Sequence, residues 1–108
     1  MGALPVPKSS PLVKETQKIK SRIDTLITKM QRDTNFTPTR EQLEEIADTV
    51  IDFINDKHSK TAPHESYLKA VVIDLTEVPV MTAQMQRISF LTALKDASHE
   101  MDLFLSCL

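Results

Sequence analysis

A chain of 108 residues with 41% hydrophobic and 26% charged side chains has the makeup of one soluble globular domain, long enough to bury a core without staples. One cysteine excludes an internal disulfide and a zinc cage of thiolates, and a net charge of −2 argues against a nucleic-acid-binding protein. The charge is uneven: residues 1–32 carry seven basic and two acidic side chains, net +5, and residues 33–108 carry six basic and thirteen acidic, net −7.

That asymmetry has two readings. A basic first helix lies against acidic neighbours, or it offers a basic surface to an acidic partner or to phosphate. Residues 1–10 read as a flexible segment, and 11–108 as the single domain. No apolar run of signal-peptide length precedes it, so the expected location is intracellular, nuclear or cytoplasmic; a removed signal peptide would make the protein secreted. Ala70-Val71-Val72-Ile73 is the longest uninterrupted apolar stretch and is too short to cross a bilayer, so no membrane association is expected.

The only glycine is Gly2, and prolines 38, 63 and 79 cut the chain after residue 12 into four pieces that each read as helix. The first starts at Ser10-Pro11, a capping residue followed by proline at the first helical position. Leu12, Ile19, Ile23, Leu26, Ile27 and Met30 form its apolar stripe, with Lys14, Lys18, Arg22 and Lys29 around it. It ends at Asp33-Thr34-Asn35, where Asn35 is expected to take the left-handed conformation.

The second helix starts at Thr37-Pro38, with Glu41, Glu44 and Glu45 where the helix dipole favours negative charge. Leu43, Ile46, Ala47, Val50, Ile51 and Ile54 make its inner stripe. Residues 55–60 are a polar loop. The third helix runs from Ala62-Pro63 to Val78, with Leu68, Val71, Val72, Leu75 and Val78 inward and Ala70 and Ile73 widening the apolar face. Its β-branched residues suit a strand. The helical period of the flanking positions and the lack of any partner strand argue for a helix, central in the bundle.

The fourth helix begins at Thr82 as its cap. Met85, Ile88, Leu91, Leu94, Ala97, Met101 and Phe104 give its stripe, with Phe90 and Leu105 beside it; a break at Ser98-His99 would create a fifth helix. The joint before it, Val78-Pro79-Val80-Met81, is apolar and reads as part of the core. The fold class is all-α: an antiparallel bundle of four helices, or five, or a short α-solenoid.

Catalytic signatures are missing. Phosphate-cradling loops need glycines that are not there. His58 and His64 flank a loop rather than sharing a helix face, and the i, i+4 acid pairs Asp52/Asp56 and Glu41/Glu45 read as solvated surface. Cys107 has no activating neighbour. The expectation is no enzyme, no cofactor and no metal. Phe53 and Phe90 read as core, and Phe36 as a loop aromatic. Asn35-Phe36-Thr37 fits a glycosylation acceptor pattern, which matters only in a secreted protein.

Leu68, Val72, Leu75, then Val78-Pro79-Val80, then Met85, Ile88, Phe90, Leu94 and Ala97 resemble the N-terminal (LW) domain of the transcription elongation factor TFIIS and its relatives. The likeness covers residues 67–97. The family's tryptophan is missing, and Ser89 stands near where it has a small residue or glycine. The resemblance implies a non-catalytic docking module associated with transcription elongation that binds short disordered segments in which an aromatic anchor is flanked by acidic residues. Arg87 and Lys95 would receive the acids, with Phe90 as support. Two other functions need no catalytic residues either: a stand-alone inhibitor or immunity-type bundle, and a secreted four-helix signalling protein. The sequence leaves the oligomeric state open.

Overall fold

A computed structural model describes residues 11–57, 61–79 and 82–108. Residues 1–10, His58, Ser59, Lys60, Val80 and Met81 lie outside the described residues, and with them the expected flexible leader, the Ser10 cap, part of the polar loop and the burial of Val80 and Met81.

Among the described residues, four α-helices make an all-α bundle: α1 (Pro11–Arg32), α2 (Arg40–Asp56), α3 (Glu65–Thr76) and α4 (Ala83–Ser106). A short 3-10 turn, Ala62–His64, carries Pro63 into α3. Successive helices run antiparallel. Arg40 at the start of α2 meets Val78 just beyond α3. Asp24 of α1 meets Ser98 of α4, while Met30 near the end of α1 meets Arg87 near the start of α4. Phe53 and Phe104 touch edge to face near the C-terminal ends of α2 and α4, with centroids 6.3 Å apart. Helix α3 lies between α2 and α4, and α1 packs mainly on α4 and only lightly on α2. The α1–α2 side of the bundle is its open side.

Local chemistry explains the boundaries and corrects several expectations. The cap of α2 is Thr39, two residues later than Thr37: Gln42 N–H donates to Thr39 Oγ1 (3.1 Å), and Thr39 N–H donates to Gln42 Oε1 (2.8 Å). This reciprocal pair satisfies two backbone donors at once, which Thr37 could not do. Asn35 does not take the left-handed conformation; no described non-glycine residue has a positive φ. Instead Asp33 accepts the Asn35 N–H at 2.9 Å and turns the chain through its side chain.

Helix α3 stops at Thr76, not Val78, but Val78 is still buried as an extended residue before Pro79. Thr82 is the first residue flanking α4, yet its hydroxyl makes no capping bond; its carbonyl accepts from Gln86 N–H at 2.8 Å. Helix α4 is continuous through Ser98 and His99, so no fifth α-helix forms there.

The core is aliphatic with two phenylalanines at its centre. Ile23, Met30, Leu43, Val50, Leu68, Val71, Leu75, Leu94, Met101, Phe90 and Phe104 are fully buried. The buried Thr16 satisfies its hydroxyl by donating to Leu12 O at 2.7 Å. Both phenylalanines expected in the core, Phe53 and Phe90, are there. The expected inner faces fail at four positions. Ile51, Met85 and Ile88 are exposed, and so is Ile73. On α2, Phe53 takes the place that Ile51 was given. On α4, Phe90, Leu94, Ala97, Met101 and Phe104 line up at alternating spacings of four and three and turn Met85 and Ile88 outward.

Candidate docking surface

The three side chains expected to receive a partner do not share one surface. Phe90 is 1% exposed. Arg87, on the same inner face, turns its guanidinium toward the end of α1, where Nη2 donates to the Met30 carbonyl and, at 3.5 Å, to the Asp33 carbonyl. A helix C-terminus leaves carbonyls without intrahelical donors and carries partial negative charge, so a cation there is favourable. Arg40, which the sequence reading overlooked, completes this joint. Its Nη2 donates to Val78 O at 2.7 Å, and its guanidinium carbon lies 5.9 Å from the centre of the Phe90 ring. Lys95 is exposed about two turns further along α4 and about 80° around its axis from Arg87.

The outward apolar residues do form one surface. Ile51, Ile73, Met85 and Ile88 are 39%, 51%, 53% and 59% exposed. Ile51 and Ile73 border one depression between α2 and α3. Ile73 and Ile88 border the next, a groove between α3 and α4 closed at one end by Val78 and Pro79. Met85 sits one turn before Ile88. Ile73 is thus the shared edge of a band that crosses three helices.

The α3–α4 groove has a distinct charge. Asp74, Glu77 and Asp96 line it, and among the described residues no lysine or arginine does. Glu100 lies one turn beyond Asp96. Its carboxyl is pushed up to about 8, first by burial, then by a hydrogen bond with Asp74 and by the negative charges of Asp74 and Asp96. Asp74 Oδ2 and Glu100 Oε2 are buried and receive no N–H or hydroxyl donor from the other described residues. A protonated Glu100 resolves this by donating to Asp74. The sequence held a signal for the cluster, since Asp96 and Glu100 stand at i and i+4, but not for Asp74, which comes from the neighbouring helix.

The open α1–α2 side forms a second groove of about 580 Å³ over Ile19 and Phe53. Here Lys18 and Arg22 of α1 oppose Asp52 and Asp56 of α2, and Arg22 Nη1 donates across the gap to Thr49 Oγ1 at 3.1 Å. On the α4 side of α1, Lys20 pairs with Asp24 (2.6 Å) and Asp102 (3.6 Å). The Asp24 hydrogen bond is the main reason that the Lys20 pKa is raised. The basic first helix does lie against acidic neighbours.

Among the described residues no cluster of His, Cys, Asp or Glu could hold a metal ion, and no helix is long and apolar enough to cross a membrane. Cys107 is partly buried at the end of α4. The chain matches no protein-family model, and neither a curated protein nor a solved structure matches it significantly.

Proposed function

We propose that this chain is a non-catalytic helical protein-interaction module that docks a short, otherwise disordered segment of a partner protein. The observation that carries the reading is the exposed band of Ile51, Ile73, Met85 and Ile88 on a bundle whose other described large aliphatic side chains are buried or half-buried. Leaving four such side chains about half in water forgoes about 1 kcal/mol for each that a partner could cover, roughly half the gain of burying a fully exposed aliphatic side chain. Contiguous apolar surface of this kind marks interaction sites. An association with transcription elongation, and with it an intracellular location, rests on the likeness to the TFIIS N-terminal domain over residues 67–97.

Selection of a random peptide library displayed on phage against the purified chain tests the reading. Peptides that bind the chain saturably and lose binding to Ile73→Asp/Ile88→Asp are expected. Both positions are exposed, so the variant should keep its helical circular dichroism and its cooperative unfolding. A library that yields no saturable binder, or only binders indifferent to that variant, would overturn the proposal.

A further inference from the structure

We infer that the partner segment is cationic and amphipathic, and that it docks in the groove between α3 and α4. The inference rests on the docking reading above and adds the chemistry of the occupant. Apolar contact comes from Ile73, Val78, Pro79 and Ile88, which border the groove from both helices and from the joint between them. Charge comes from Asp74, Glu77 and Asp96 on its rims, with no cation among the described residues lining the groove to neutralise them. An entering segment that places aliphatic side chains on the isoleucines and lysine or arginine beside the rims satisfies both features.

An acidic segment would bring like charges together over a floor that cannot hydrate them well. Of the two cations expected to receive acids, Arg87 already points at carbonyls of α1, and Lys95, about two turns beyond Ile88, is exposed beside the groove but does not line it, against three carboxylates that do. The α1–α2 groove is a weaker site for a cationic guest, because Lys18 and Arg22 stand on its α1 wall beside Glu15, facing Asp52 and Asp56, and Arg22 reaches across to Thr49.

The raised proton affinity of Glu100 fits the same picture. Burial comes first in keeping its proton, and the hydrogen bond with Asp74 of α3 and the negative charges of Asp74 and of Asp96 on α4 add to it, so the potential next to the groove is negative. A guest cation at Asp74 and Asp96 would relieve that same crowding.

Three synthetic peptides of equal length are titrated against the full chain, read by amide chemical shifts. One is an amphipathic helix of leucine and lysine, one is its leucine–glutamate counterpart, and one has the leucine–lysine composition in a non-amphipathic order. The inference expects saturable shifts with the first peptide only, centred on residues 73–79 and 88–96. Glu77→Gln/Asp96→Asn should weaken binding about fivefold or more at low salt, since each rim charge contributes a modest factor, and should flatten the salt dependence. Saturable binding of the leucine–glutamate peptide, equal binding of the scrambled one, or shifts mapping to another face would overturn the cationic occupant. If library peptides still depend on Ile73 and Ile88, the docking reading survives that result. Sedimentation as a dimer with these same residues covered would make a second copy the occupant and overturn both.

Discussion

Arg87 occupies a position that the spacing of α4 reserves for an apolar side chain. Counting back from Phe104 through Met101, Ala97, Leu94 and Phe90, the next inward place is residue 87. An arginine can stand there because its stem packs along the core and its guanidinium reaches the carbonyls of Met30 and Asp33. Arg87→Ala should therefore lower stability by about 1–3 kcal/mol, the range for removing a charged donor from partly buried acceptors. Arg87→Lys should recover part of it, because a point charge serves the helix end without the planar fork. Urea unfolding of the three proteins checks this. An alanine variant as stable as the parent would mean that water serves those carbonyls equally well. The sequence alone shows an arginine among apolar residues and suggests an exposed receptor. Its acceptors lie more than fifty positions away in the chain, so their approach is visible only after folding.

Helices, their order and their antiparallel arrangement follow from proline positions and from periodicity, because both act within a few residues. The rotation of each helix about its axis follows less well. Helix α4 offers two apolar arcs, Met85 with Ile88, and Phe90 with Leu94, Ala97, Met101 and Phe104; the second wins because it is longer and carries both phenylalanines. The losing arc is the exposed band, so the misread positions are the ones that make the candidate surface. The α3–α4 pairing also sets the strongest pH effect. Below about 4.5, Glu100 is protonated in folded and unfolded chains alike. Between 4.5 and about 8 the unfolded chain releases the proton and the folded one keeps it, so this group lowers stability as pH rises through that window. Glu100→Gln mimics the protonated form. Its thermal midpoint relative to the parent should climb from pH 5 to pH 8 and then level off. Asp74→Asn should shrink the same dependence by removing the nearest negative charge. A Gln variant whose offset stays constant across pH would show that Glu100 ionises freely in the folded protein.

At the scale of the whole molecule, the division of charge between residues 1–32 and the rest acts as an internal complement. Helix α1 is held by packing on α4, while on its α2 side the groove separates Lys18 and Arg22 from Asp52 and Asp56. Charges separated in this way attract weakly, and salt screens them over roughly 10 Å at 0.1 M. Reversing α1 with Lys18→Glu/Arg22→Glu removes the attraction and adds repulsion, while Ile19 and Phe53 beneath them remain covered by the same helices. A loss of about 1 kcal/mol is expected at low salt, in the range of a few exposed ion pairs. It should fade toward zero in 0.5 M salt, as measured by denaturant midpoints at the two ionic strengths. A loss that persists undiminished in high salt would assign these residues to packing, through the Arg22–Thr49 hydrogen bond and the stems of both side chains. With the basic α1 facing acids of α2 and α4, the α3–α4 rim is left as an acidic surface with no described basic helix opposite it. That is why the overall charge of −2 understates how selectively the folded protein can attract a cationic segment.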